Sequence, residues 1–169
     1  HNQNLWMTNG TSEIYEQQPD KSIKTISAQN AEVHFNDIYF NGKVFLAGSD
    51  GIYIVENHQI KKVIPLPFSA KKIIKDYQNQ LWVLSEKNGI RVFDASDFHE
   101  KKNTVLNTEN YWKTNTSNDI AIGKNGKIWL ASWMPKDYGI SFFDESMKIF
   151  KEINGLKTFK NESKFVTDY

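Results

Sequence analysis

The chain contains no cysteine, and only four prolines and nine glycines occur among its 169 residues. Without cysteine it cannot form a disulfide bond, a thiolate zinc site or a cysteine nucleophile. No apolar run approaches the roughly 20 residues that a membrane-spanning helix requires. The 21 basic and 20 acidic residues leave a net charge of +1, so no strong field attracts nucleic acid or anionic lipid. We therefore expect neither a nucleic-acid partner nor membrane contact by this segment.

Motifs of enzyme active sites are also missing. The four histidines (His1, His34, His58 and His99) do not have the spacing of metal ligands, and no nucleophile elbow, phosphate-binding loop or dinucleotide fingerprint occurs. The sequence thus predicts no catalytic residue, no metal site and no cofactor, and favours a chain that is not an enzyme. A propeller-type hydrolase or lyase stays open as an alternative.

The strongest positive signal is an internal repeat centred on an aromatic residue. Successive aromatic positions are separated by 39, 37 and 47 residues, and a period near 40 is typical of one four-stranded propeller blade. A polar turn precedes three of the copies and contains Asn-Gly in two of them, at residues 41–42 and 125–126, which favours tight hairpins between antiparallel strands. The four copies are Leu5-Trp6-Met7, Val44-Phe45-Leu46, Leu81-Trp82-Val83 and Ile128-Trp129-Leu130.

The repeat predicts an all-β fold, a β-propeller of about four four-stranded antiparallel blades. Each predicted sheet has apolar residues on both faces, so one blade alone would leave a face in water, whereas blades stacked around an axis bury both. The aromatic residue of the second strand is expected between neighbouring blades. A meander, sandwich or barrel is the alternative, although a fixed period with repeated turn chemistry is not typical of these folds.

The third and fourth copies carry a resemblance to a known family. Asp-Tyr-Gln-Asn-Gln-Leu-Trp-Val at residues 76–83 and Asn-Gly-Ile-Arg-Val-Phe-Asp at residues 88–94 resemble the two-component regulator propeller repeat. Residues 125–130 and 139–144 are similar to it, whereas the first copy is weak after Trp6. The resemblance implies the extracytoplasmic sensor propeller of a Bacteroidetes hybrid histidine kinase, whose kinase part is not in this chain. Related repeats occur in type IX secretion propellers.

The resemblance also sets expectations for organisation and location. Blades are predicted at residues 1–30, 31–67, 68–108 and 109–153, with residues 154–169 forming the first strand of a further blade or closing the first blade. Family members are usually seven-bladed, which favours a segment of a larger propeller. The implied function is sensing of oligosaccharide in the periplasm or outside the cell, with dimerisation through the parent sensor. A structural role in a secretion or surface complex, with a neighbouring protein domain as partner, is the alternative.

Two insertions in the fourth copy predict the binding site. A long connection at residues 103–118 and an enlarged loop at residues 132–138 should emerge on the same face of a propeller. Their aromatic side chains can stack on sugar rings or dock a partner protein, or instead pack the loops onto the rim. The predicted ligand-binding residues are Tyr111, Trp112, Trp133 and Tyr138.

Four aspartates and three lysine pairs are interpreted as structural residues, and not as catalytic or binding groups. Asp37, Asp76, Asp119 and Asp168 recur near the starts of copies and are interpreted as turn or inter-blade hydrogen-bond acceptors. The Lys pairs at 61–62, 71–72 and 101–102 are interpreted as solvated strand edges that discourage unwanted pairing.

Overall fold

The computed structural model describes residues 4–85, 88–101, 117–123, 126–132, 139–144 and 149–152. These residues form fourteen β-strands and no helix, so the predicted all-β class is confirmed. Within them, no helix is long and apolar enough to cross a membrane. The strands form four separate antiparallel sheets that follow one another along the chain.

The strand bounds show where each sheet lies. The first sheet contains β1 (Leu5–Thr8), β2 (Glu13–Gln17) and β3 (Ile23–Ser27). The second contains β4 (Phe35–Phe40), β5 (Val44–Gly48), β6 (Gly51–Glu56) and β7 (Gln59–Pro65). The third contains β8 (Ala70–Lys75), β9 (Gln80–Ser85) and β10 (Gly89–Asp94), and the fourth contains β11 (Ser117–Ile122), β12 (Ile128–Ser132), β13 (Gly139–Asp144) and β14 (Ile149–Glu152).

Two of the four sheets have fewer strands than the repeat predicts. The first sheet lacks a leading strand among the described residues, and β1 corresponds to the second strand of the other sheets. In the third sheet, the fourth strand expected of each blade is represented by a bridge between Phe93 and Glu100. Residues 102–116, which follow this bridge, lie outside the described residues.

The aromatic residues of the repeat occupy one register position. Phe45 pairs with Ile54, Trp82 with Val92 and Trp129 with Phe142 along the second and third strands of their sheets. Three residues later each second strand ends opposite a glycine that opens the next strand. At Gly51 a Cβ atom would lie 2.4 Å from the Ile64 carbonyl oxygen, so a side chain there would push the neighbouring strand away.

The core lies between the sheets. One apolar cluster joins the first and second sheets, another the second and third, and a last one the third and fourth. Phe45 belongs to the cluster facing the third sheet, and Trp82 to the cluster facing the fourth. The predicted place of the aromatic residue between neighbouring blades is therefore confirmed for both side chains.

The hairpins use the turn residues that the sequence indicates. Gly42 and Gly126 lie between the first two strands of the second and fourth sheets with φ of 75° and 78°. Asn79 takes the same role in the third sheet with φ of 61°. Asn57 and His58, both with positive φ, connect β6 to β7. Such dihedrals match the right-handed twist of the flanking strands, so each turn fixes the register of its hairpin.

Candidate functional site

The first strands β4, β8 and β11 lie next to one another, one from each of three consecutive sheets. We call the side at which these strands begin the leading face. Each strand has an irregularity in its register there, between Phe35 and Asp37, between Ala70 and Lys72, and between Ser117 and Asp119. A bulge of this kind makes two residues oppose one and redirects their side chains. The resulting polar pairs are Asn36-Asp37, Lys71-Lys72 and Asn118-Asp119.

Lys72 links the carboxylates of the two neighbouring sheets. Its Nζ lies 3.6 Å from Asp37 Oδ1 and 3.9 Å from Asp119 Oδ1. The side chain of Asp119 is 61% exposed, compared with 20% for Asp37, so solvent strongly screens the Asp119 contact. Ion pairs this open contribute at most about 1 kcal/mol each. Their main consequence is an alternation of negative, positive and negative charge across three sheets.

Asp37 is the most protected charge of this group. The backbone N–H of Ile73 donates a hydrogen bond to its Oδ2 at 3.1 Å. Burial raises the pKa of the Asp37 carboxyl above its ordinary value, while the Ile73 hydrogen bond and the Lys72 charge act in the opposite direction. Asp37 thus joins the second sheet to the third, which agrees with its predicted role as an inter-blade acceptor.

The amides of the leading face connect the sheets as well. Asn36 Nδ2 donates to Ser69 Oγ at 3.0 Å and to the Ala70 carbonyl at 2.8 Å. Lys71 Nζ lies 3.5 Å from Asn118 Oδ1. Both asparagines remain exposed, so each keeps hydrogen-bonding capacity toward a ligand.

Loops at the same side hold the start of β4 in place. The Thr8 hydroxyl donates to the Phe35 carbonyl at 3.2 Å, and the Phe35 N–H donates to the Thr11 carbonyl at 3.0 Å. His34 and Ser49 are joined by a hydrogen bond from the Ser49 N–H to the His34 carbonyl at 2.9 Å. The leading face is thus a backbone framework that carries exposed polar groups.

The predicted ligand-binding residues Tyr111, Trp112, Trp133 and Tyr138 lie outside the described residues. The structure therefore leaves that prediction untested. It does describe residues next to them in the chain: Ser117 pairs with Ser132, and Ser132 with Gly139, at the leading face of the fourth sheet.

Sequence reasoning missed most of the polar residues on the leading face. Lys71 and Lys72 lie on β8, an edge strand of the third sheet, as the sequence interpretation expected, but this edge is the innermost one and Lys72 contacts two acids there. The available signal was the tripeptide Asn-Asp-Ile, which occurs at residues 36–38 and again at 118–120. Lys-Lys-Ile stands at the equivalent residues 71–73.

The opposite side, which we call the turn face, carries the hairpins between the first and second strands. Asp76 accepts hydrogen bonds there from the Gln78 and Gln80 N–H groups at 2.9 and 2.8 Å and from Trp82 Nε1 at 2.8 Å. Its predicted role in a turn is confirmed. The neighbouring Tyr77 side chain is 77% exposed and lies close to Gly126 of the next sheet.

The four consecutive sheets pack through their faces, and the innermost strands of the second, third and fourth sheets lie next to one another. This arrangement defines the described part of the chain as a partial β-propeller. A search with the sequence finds no matching family profile and no matching curated protein. In the described residues, no group of three or more His, Asp or Glu side chains is arranged as metal ligands.

Solved structures with similar folds include extracellular domains of one and two component systems and a lyase. The extracellular domain of the one component system BT4673 from B. thetaiotaomicron matches with a TM-score of 0.69 at 14% identity, over 89% of this chain and 23% of that one. The extracellular domain of the hybrid two component system BT3049 from the same organism matches with a TM-score of 0.67 at 12% identity, over 88% of this chain and 21% of that one. Virginiamycin B lyase from Staphylococcus aureus matches with a TM-score of 0.71 at 18% identity, over 90% of this chain and 52% of that one. The chain spans between about a fifth and a half of these structures, and at such identities the likeness shows the fold.

Proposed function

We propose that this chain is a non-catalytic recognition propeller of an extracytoplasmic sensor, and that it binds a neutral oligosaccharide on the leading face. The observation that carries the proposal is the polar pair repeated on three adjacent innermost strands. Two lysines and two aspartates balance in charge there, and two exposed asparagine amides supplement them. Sugar hydroxyls both donate and accept hydrogen bonds, so alternating donors and acceptors suit them.

The framework of the leading face supports this assignment. Asn36, Asp37 and Lys72 are each held by contacts to a neighbouring sheet. Binding groups fixed before the ligand arrives lose less conformational entropy on binding. The predicted aromatic residues Trp133 and Tyr138 follow Ser132 and precede Gly139 in the chain, so the loop that carries them joins the sheet at this face. Aromatic rings would add the apolar contact that sugar rings need.

Sensing and an extracytoplasmic location rest on the likeness to the two sensor extracellular domains together with the repeat pattern. The lyase likeness favours one alternative, an enzyme built on the same fold. A sensor would bind its ligand and release it unchanged, whereas an enzyme would convert it. Whether the bound sugar is recovered unchanged therefore distinguishes the two functions.

The test is titration of the full chain by calorimetry with neutral hexasaccharides of glucose, xylose and mannose, and with an acidic oligogalacturonide. We expect saturable binding of at least one neutral sugar and recovery of the sugar unchanged. Lys72→Met and Asn118→Ala should weaken binding by about tenfold, as expected when a hydrogen bond of roughly 1.4 kcal/mol is lost. Trp133→Ala tests the predicted aromatic contact in the same assay.

Tyr77→Ala is the matched control, because Tyr77 is exposed on the turn face and should leave the affinity unchanged. Equal loss in the Tyr77 and Lys72 variants would place the site elsewhere. Absence of binding across the panel would favour the alternative of a protein partner, and cleavage of a sugar would favour the enzyme.

A further inference from the structure

Three Asn-Gly pairs lie wholly within the described residues. They occupy residues 9–10 between β1 and β2, residues 41–42 between β4 and β5, and residues 88–89 at the start of β10. Two further pairs, at residues 125–126 and 154–155, lie partly or wholly outside the described residues. Glycine has no side chain that shields its backbone nitrogen, so this nitrogen can approach the side chain of the preceding asparagine.

The reaction open to such a pair is loss of ammonia from the asparagine. The glycine backbone nitrogen gives up its proton and forms a bond to the asparagine Cγ. The Cγ–Nδ2 bond breaks, and Nδ2 takes up a proton and leaves as ammonia. Water then opens the resulting succinimide ring at either of its carbonyl carbons, which gives aspartate or isoaspartate. One molecule of solvent water is consumed for each ammonia released.

The first pair has hydrogen bonds on both reacting groups. Asn9 Oδ1 accepts hydrogen bonds from the Thr11 N–H and hydroxyl at 3.2 and 2.6 Å, and Asn9 Nδ2 donates to the Tyr15 hydroxyl oxygen at 3.3 Å. The Gly10 N–H donates to Thr8 Oγ1 at 3.3 Å. The amide and the attacking nitrogen must therefore both give up hydrogen bonds before they can meet, which raises the barrier to attack.

The third pair is held by its hairpin. Asn88 donates to Ser85 Oγ both from Nδ2 at 3.2 Å and from its backbone N–H at 3.3 Å. Gly89 is buried and opens β10, where it pairs with Ser85. A buried glycine in a paired strand reaches the asparagine side chain only when the hairpin opens locally, so reaction there requires a rare conformation.

The second pair has neither restraint. Asn41 and Gly42 are both exposed, and the space where a Gly42 Cβ atom would lie is open. The Asn41 N–H donates to the Lys43 carbonyl at 3.1 Å, but among the described residues no hydrogen bond holds the Asn41 side chain or the Gly42 N–H. Gly10 is equally open and has almost the same φ, 79° compared with 75° for Gly42. The hydrogen bonds are therefore what distinguishes these two turns.

We infer that Asn41 is a site of spontaneous deamidation in the folded protein, and that Asn9 and Asn88 are protected. The product places a new carboxylate on the turn face. Isoaspartate also adds one carbon atom to the backbone of the turn that joins β4 to β5. The change thus falls on the hairpin whose opposite end carries Asn36 and Asp37.

Peptide mass spectrometry of the full chain after incubation at mildly alkaline pH tests the inference. The mass gain on replacement of an amide by an acid reports the rate at each asparagine, and chromatography separates isoaspartate from aspartate. We expect Asn41 to react at least about tenfold faster than Asn9 or Asn88, because several hydrogen bonds must break at these two sites. In concentrated urea the three rates should converge, since the reacting Asn-Gly sequence is the same.

Two variants test the protective bonds. Thr11→Ala removes the hydroxyl that donates to Asn9 and should raise the rate at Asn9 by about three- to tenfold, with the rate at Asn41 unchanged. Circular dichroism verifies that this variant retains its β-structure. Asn41→Gln is the matched control, because its longer side chain forms a ring far more slowly. It should abolish the reaction at position 41 and leave the rates at Asn9 and Asn88 as they were.

The inference makes the fold, and not the local sequence, responsible for the difference in rate. Equal rates at Asn41 and Asn9 in the folded chain, or a slower rate at Asn41, would overturn it. A difference that persists in urea would overturn it as well, since the sequence around each pair would then set the rates. An unchanged rate at Asn9 in Thr11→Ala would contradict the protection assigned to the first pair.

Discussion

The first and third sheets carry the same repeat in different surroundings. Leu81 and Val83 of β9 are fully buried between the second and third sheets, whereas the equivalent Leu5 is 55% exposed and Met7 is also exposed. Val92 stands opposite Trp82, but the buried carboxylate of Glu16 stands opposite Trp6. Position in the repeat therefore fixes the direction of a side chain, and the neighbouring sheet decides whether that side chain is core.

The same comparison holds for the tryptophans. Trp82 has an acceptor for its indole N–H in Asp76 of its own hairpin. Glu16, beside Trp6, accepts a hydrogen bond from Asn4, and its second oxygen lies 3.7 Å from His58 Nε2 without a hydrogen bond among the described residues. In the third sheet the Trp82 indole thus has its acceptor in the same hairpin. In the first sheet one buried oxygen of Glu16 has no hydrogen bond among the described residues.

The largest contrast should come from truncating equivalent leucines. Leu81→Ala removes a fully buried side chain and should lower the free energy of unfolding by about 2–5 kcal/mol, since a cavity remains. Leu5→Ala should change it by no more than about 0.5 kcal/mol. Urea unfolding at 25 °C measures both. Similar losses in the two variants would mean that Leu5 is covered in solution.

Removing the acceptor of the third hairpin should have the next largest effect. Asp76→Ala removes the carboxylate that accepts hydrogen bonds from three donors, including the Trp82 indole. We expect a loss of about 1–3 kcal/mol and a change in tryptophan fluorescence of the folded protein. Asp94→Ala, which removes an acceptor from a solvent-exposed turn, should cost less. The reverse order would contradict the role given to Asp76.

Replacing the buried carboxylate of the first sheet should not lower the free energy of unfolding, in contrast to the two substitutions in the third sheet. Glu16→Leu removes a poorly compensated charge from an apolar interface, and the expected outcome lies between no change and a gain of about 1–2 kcal/mol. Thermal and urea unfolding report the sign. Glu56→Leu, at an exposed ion pair with Lys61, should give no gain. A clear loss of stability for Glu16→Leu would show that the Asn4 and His58 contacts matter more than the desolvation of the charge.

The smallest effect concerns pH. Because burial raises the pKa of Asp37 in the folded protein, its contribution to stability is present below the ordinary carboxyl pKa and is lost as the pH rises through the folded value. Asp20, whose pKa is lowered by the Ser22 hydroxyl, contributes above the ordinary value and loses that contribution as the pH falls.

Comparison of wild type with Asp37→Asn and with Asp20→Asn between pH 3 and 7 should therefore give pH trends of opposite sign. Trends of the same sign would show that the Ile73 and Lys72 contacts of Asp37 outweigh its burial.

Much of the fold could be predicted because its signals are local. The Asn-Gly turns at Gly42 and Gly126 have the positive φ that a tight hairpin requires, and the repeat placed Phe45 and Trp82 between sheets. The leading face could not be predicted in the same way. Lys71-Lys72 looks like any exposed basic pair until β8 is placed between β4 and β11, and nothing local marks Glu16 as buried.

The sequence by itself determined the strands, the hairpins and the aromatic position of each copy. Alternation with a period of two and the dihedral preferences of turn residues act within a few residues of chain. Only the tertiary structure decided that Lys72 stands between Asp37 and Asp119, and that Leu81 is core while Leu5 is exposed. These properties depend on which sheet lies next to which, and packing between sheets sets that order at long range.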